Sequence, residues 1–170
     1  IVGGALGVVN AIVNISGASL ISGNRAEDGG GFYSDSGGSV VTITGTGATK
    51  VQIINNVARV RGGGFRTTGN TTVNLEHVEI TGNSAEIQRG GAIYADGARL
   101  IGANVRINNN HAGSLGRTGD EEGGALWLDG FAHLDLTDSE IIGNRSEVHG
   151  GGIYATSATV TLTRTAVSDN

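Results

Sequence analysis

Apolar and polar residues alternate with a period of two in five short stretches that recur along the chain. Val13/Ile15, Val41/Ile43, Val73/Leu75, Leu134/Leu136 and Val160/Leu162 each flank a single polar residue. A sixth copy has Leu100, with Gly102 in the second place. Alternation rich in β-branched residues marks a strand with one buried face. No window carries a convincing 3.6-residue period, so essentially no helix is expected.

Two motifs interleave with these strands. An isoleucine or valine, two residues and an asparagine recur as ISGN (21–24), IINN (53–56), ITGN (80–83), INNN (107–110), IIGN (141–144) and VSDN (167–170). Between them stand GGAL (3–6), GGGF (29–32), GGGF (62–65), GGAI (90–93), GGAL (123–126) and GGGI (150–153). A repeat of this length cannot bury its apolar face alone, so neighbouring copies must stack. The predicted fold is all-β, a right-handed parallel β-helix of about six coils of three short strands. It forms a single domain over residues 1–170. Coils ~4.8 Å apart make a rod ~25 Å long.

The register assigns inward stacks. One is Leu6, Phe32, Phe65, Ile93, Leu126 and Ile153; another is Ile21, Ile53, Ile80, Ile107, Ile141 and Val167. Asn24, Asn56, Asn83, Asn110, Asn144 and Asn170 are expected to form a structural ladder inside the turn. An amide side chain both donates and accepts, so it can pair with its copy one coil away and satisfy turn backbone groups. The residue before each is Gly23, Asn55, Gly82, Asn109, Gly143 or Asp169. These types tolerate positive φ, so a left-handed bend is expected there.

The paired motifs resemble the polymorphic membrane protein repeats, GGA-I and F-x-x-N, of bacterial autotransporter passengers. GGAI occurs literally at 90–93, and isoleucine or valine stands where that family has phenylalanine. The resemblance covers almost the whole chain. It implies a secreted or surface-exposed passenger, often adhesive, and brings no catalytic residue with it.

Composition narrows the function classes. Cysteine is absent, which removes disulfides and cysteine metal sites. The net charge is −5, and Lys50 is the only lysine among 11 basic residues. Nucleic acid is not an expected partner, because a clustered basic face is missing. No apolar stretch approaches the ~20 residues of a membrane helix, so no membrane insertion is expected in this segment. No signal peptide is read at the start, and with no methionine in the chain residue 1 is not a native start. The chain is therefore read as an excerpt of a longer solenoid, with flanking coils or end-to-end copies as partners.

Departures from the repeat are where function can be grafted. TGTGATK (44–50) is inserted between two strands, and a longer loop, GSLGRTGDEE (113–122), holds Arg117, Asp120, Glu121 and Glu122. The longer one is read as a flexible polar loop, with contact to a partner or neighbouring domain as the alternative, and no aspartate spacing in it resembles a calcium loop. Beside the inward residues an outward column reads Tyr33, Arg66, Tyr94, Trp127 and Tyr154. The next outward column is Asp35, Thr68, Asp96, Asp129 and Thr156. Gly31, Gly64, Ala92, Ala125 and Gly152 are read as an outward flat strip beside the rings. Rings beside carboxylates suit carbohydrate, while the structural reading is that the rings stack on each other. The candidate ligand face is thus Tyr33, Arg66, Tyr94, Asp96, Trp127, Asp129 and Tyr154.

Enzyme readings are weaker. Asp96 and Asp129 sit on adjacent coils, ~5 Å apart, which would suit a retaining glycosidase pair but also follows from any repeated aspartate. Lys50 and Arg66 lie on different strands, with no acid cluster for a lyase. His77, His111, His133 and His149 form no ladder and read as surface residues. A phosphate loop needs G-x-x-x-x-G-K before a helix, which the lone lysine does not provide. An ice-binding array fails on the irregular column Asn14, Thr42, Asn74, Ile101, Asp135 and Thr161. The expectation is an extracellular or bacterial cell-surface stalk or passenger with no cofactor and no metal, its partner a cell-surface glycan or protein receptor. A carbohydrate-binding or polysaccharide-degrading β-helix is the alternative.

Overall fold

The computed structural model describes residues 2–35, 37–113, 115 and 121–170. Among these residues every regular element is a strand. The strands form three six-stranded sheets and one five-stranded sheet, with every pairing parallel and each strand hydrogen-bonded to its copies in neighbouring coils. The chain is thus a parallel β-helix of about six turns, the fold class its periodicity predicts.

One coil shows the plan. Phe65–Thr68 lies in the first sheet, Thr72–Glu76 in the second, Val78–Thr81 in the third and Ser84–Ala85 in the fourth. The next coil repeats it as Ile93–Asp96, Arg99–Ala103, Arg106–Asn108 and His111–Ala112. The fourth strand is the structure's addition to the three-strand repeat. In three coils it has only two residues, too few to show an alternating pattern.

The core is the stack of like residues along the rod. Phe65 pairs in register with Ile93, and Ile80 with both Ile53 and Ile107. All of these are fully buried, and Phe32 and Phe65 stack inside with ring centroids 4.4 Å apart. Gly102, where other coils have leucine or isoleucine, leaves no hole. A Cβ there would meet Leu136 Cδ2 at 2.7 Å and Val105 Cγ2 at 2.9 Å, so those side chains lean into the space.

The asparagines run up the corner between the third and fourth sheets. Asn56 donates its amide to Asn83 Oδ1 at 3.0 Å, Asn83 to Asn110 at 3.0 Å and Asn110 to Asn144 at 2.9 Å. Asn24 and Asn170 extend the row at its two ends. Each acceptor also takes the main-chain N–H of the preceding rung, as Asn110 Oδ1 takes that of Asn83 at 2.9 Å. The second amide hydrogen goes to a carbonyl, Ile53 O for Asn83 and Ile80 O for Asn110. The residue before each rung is left-handed, from φ 54° at Asn109 to 67° at Gly82.

The glycine motif turns the next corner and corrects one expectation. Gly62 opens it with φ 68°. Gly63 lies against backbone on two sides, with Ser84 N 2.5 Å from where a Cβ would be. At Gly64 a Cβ would meet Ile80 Cγ2 at 3.3 Å and Asn83 Cγ at 3.4 Å. The column Gly31, Gly64, Ala92, Ala125 and Gly152 therefore faces inward against the ladder, not outward as a flat strip. Simple alternation fails there because the chain is still turning. Ala92 and Ala125 belong to the core.

Candidate functional site

Tyr33, Arg66, Tyr94, Trp127 and Tyr154 share one register position on the outer side of the first sheet. Their spacing is set by the coil, so flat groups at this position must stack. Tyr94 and Trp127 lie 4.4 Å apart and 10° from parallel. The Arg66 guanidinium sits between Tyr33 and Tyr94, 5.3 Å from each ring centroid. Planar guanidinium on a ring face is favourable by about 1–2 kcal/mol when water is excluded.

Water is largely excluded, because a second column folds over the rings. It consists of the residue before each of the last five glycine motifs: Asp28, Arg61, Arg89, Glu122 and His149. Arg61 lies 5.4 Å from the Tyr94 ring and Arg89 5.1 Å from Trp127. These cations are held by acids in the same column. Arg61 bonds Asp28 through both Nε and Nη2, at 2.9 and 3.2 Å, and Arg66 adds a third donor at 3.2 Å. Arg89 Nε bonds Glu122 Oε2 at 3.1 Å, and the Trp127 Nε1–H donates to the same oxygen at 3.1 Å. His149 Nδ1 lies 3.5 Å from the other Glu122 oxygen.

The exposures of Tyr33, Tyr94 and Trp127 are accordingly 8, 4 and 4%. Little of these three rings is open to solvent, and they pack against their neighbours in the column. Burial pushes the Tyr94 phenol above its ordinary pKa, helped by Asp96 and opposed by Arg61. Burial also raises Tyr33, as does its bond to Asp35. Burial opposes the charge on Arg61, but Asp28 outweighs it and holds the guanidinium above its ordinary value. Tyr154 stays half-exposed, 6.0 Å from the His149 ring.

Asp96 and Asp129 are neighbours in register and half-exposed. Asp129 Oδ1 accepts the Gly130 N–H at 2.7 Å, which ties it to its own turn. Of the histidines, His77, His111 and His149 each face a glutamate: Glu76, Glu147 and Glu122. Among the described residues no group of three or more His, Cys, Asp or Glu side chains could hold a metal. Arg117 and Asp120 lie outside the described residues. Glu121 and Glu122 are part of the packed corner, with Glu121 fully buried and Glu122 capping Trp127.

Sequence reasoning missed the covering column. Its signal is present: the position before the last five glycine motifs reads Asp28, Arg61, Arg89, Glu122, His149, a run of charged or titratable residues one coil apart.

The model of the Chlamydia polymorphic membrane protein repeat matches the chain at residues 77–96 and 138–156. The two stretches occupy equivalent places. Each starts at a left-handed corner residue, His77 or Asp138, both with φ 50°. Each then passes an asparagine rung and a glycine pair and runs along the first sheet through Tyr94 or Tyr154, ending at Asp96 on the strand or at Thr156 just past it. The resemblance carried by the glycine and asparagine motifs is thus borne out at two places. It points to a bacterial outer-membrane or surface protein with a β-helix fold. No curated protein and no solved structure matches the chain.

Proposed function

We propose that the chain is a stiff segment of a bacterial surface β-helix, exposed in the manner of an autotransporter passenger, and that it serves adhesion. The repeat matched at 77–96 and 138–156 carries this reading. The physics of the rod supports it. Coils are tied to one another by parallel strands, and the inner ones also by a buried asparagine rung, so bending would break many bonds at once. Adhesive contacts need such a support with variable elements on its side. The insertion at 44–50 is one, rooted at a corner where extra residues leave the ladder intact.

Antibodies raised against the chain should label intact cells of the bacterium that produces it as strongly as permeabilised cells. Labelling only after permeabilisation rejects surface exposure. Beads coated with the chain should settle on host epithelial cells above uncoated beads. Equal settling rejects adhesion.

A further inference from the structure

We infer that the corner beside the 44–50 insertion binds a carboxylated sugar residue, with Lys50 taking its carboxylate. This deepens the adhesive reading and rests on it. The insertion is locked onto the rod. Thr46 N donates to Thr49 O at 2.6 Å, Thr49 N to Thr46 Oγ1 at 3.0 Å, and the two hydroxyls lie 3.1 Å apart. Its ends are sewn to the next coil through Gly45 N to Glu76 O at 2.8 Å and Val51 N to His77 O at 3.2 Å.

The projecting turn makes two open grooves on the rod, of about 480 and about 540 Å³, within the range of small-ligand sites. Gly47, Lys50 and Arg106 line both. One groove continues along the rod past His77 and Asn104 to Arg164.

Charge selects the ligand. Arg164 is held by Asp138 at 2.6 Å and Arg106 by Glu140 at 3.0 Å. Among the described residues Lys50 has no ion pair, hydrogen bond or ring contact. The groove therefore offers one uncompensated cation, flanked by carboxylates and an amide that accept hydroxyl hydrogens. A sugar with one carboxylate and several hydroxyls matches that set. A polysulfated chain does not, because Arg106 and Arg164 are already paired with Glu140 and Asp138 and leave its further charges without a cation.

The test is binding of the whole chain to immobilised sialylated, uronic-acid, neutral and sulfated oligosaccharides, with and without Lys50→Glu. Either the sialylated or the uronic-acid set should bind at least tenfold tighter than its neutral counterpart, and Lys50→Glu should abolish the difference. Lys50→Ala should weaken binding about tenfold, and Arg59→Ala, on the far fourth sheet, should leave it unchanged. Unfolding midpoints equal to the parent's show that the Lys50 variants fold. Equal binding of neutral or sulfated sugars, binding to none of the sugars, or binding indifferent to Lys50→Glu overturns the inference. If coated beads adhere to cells and Lys50→Glu does not reduce it, the groove reading falls while the adhesive reading stands.

Discussion

Two donors of Asn83 share one acceptor on Asn110: Asn110 Oδ1 receives both the side-chain amide and the main-chain N–H of Asn83, at 3.0 and 2.9 Å. Asn110 in turn donates to Ile80 O, Asn108 O and Asn144 Oδ1. Removing that side chain orphans donors above it and carbonyls around it, all inside the rod. Each buried orphan costs about 1–3 kcal/mol. Asn110→Ala is expected to lose at least about 3 kcal/mol of stability by denaturant unfolding. Asn170→Ala removes an end rung and should lose less than half as much. Equal losses would mean that the ladder adds nothing beyond side-chain volume.

Trp127 is the only tryptophan, so it reports on the covering column. It is closed off by Tyr94 stacked on its ring, the Arg89 guanidinium 5.1 Å from the ring centroid and Glu122 at its Nε1. Its emission should be that of a buried indole and resist acrylamide quenching. Arg89→Ala should shift the emission to the red, raise quenching and cost about 1 kcal/mol. An unchanged spectrum would show that Arg89 does not cover the ring.

The same residues show what a sequence reveals here and what it does not. The inward stacks and the asparagine row are legible because each depends on one position repeated at one spacing. Phe65 over Ile93 follows from counting between glycine motifs. The outward side of Tyr94 is legible too, but its burial is not. Exposure depends on where Arg61 and Arg89 reach, and those belong to a different strand and corner. Two-residue strands such as Ser84–Ala85 escape for another reason: they are fixed by the coil below, not by their own pattern. Gly64 misleads because alternation is lost inside a turn.

The two buried phenols set an alkaline limit. Tyr33 and Tyr94 are raised above the ordinary value of about 10 by burial, so the folded chain keeps those protons longer than the unfolded chain. Their contribution is complete below about pH 10 and is lost as pH rises from there through the folded values. Stability should fall as pH rises above about 10, and Tyr94→Phe, which keeps the ring and removes the proton, should flatten that fall. An ultraviolet titration should show two phenols ionising later in the native than in the denatured chain. Native and denatured chains titrating alike would contradict the burial of Tyr33 and Tyr94.

The glycine motif offers the sharpest contrast, because adjacent glycines meet different neighbours. A methyl group at Gly63 would strike Gly91 O and lie 2.5 Å from Ser84 N and C, all of them backbone atoms, with Ser84 N bonded to Asn56 O. None can move without opening two coils. At Gly64 the nearest atoms are Ala92 O at 2.8 Å and the Ile80 methyl at 3.3 Å, and the equivalent positions 92 and 125 carry alanine in this chain. Gly63→Ala should therefore cost at least about 3 kcal/mol or prevent folding, whereas Gly64→Ala should cost about 1 kcal/mol or less. Circular dichroism and denaturant midpoints of the two variants read the difference directly. Similar losses at both positions would mean that the motif needs glycine for flexibility in general and not for the close approach of the fourth sheet at Gly63.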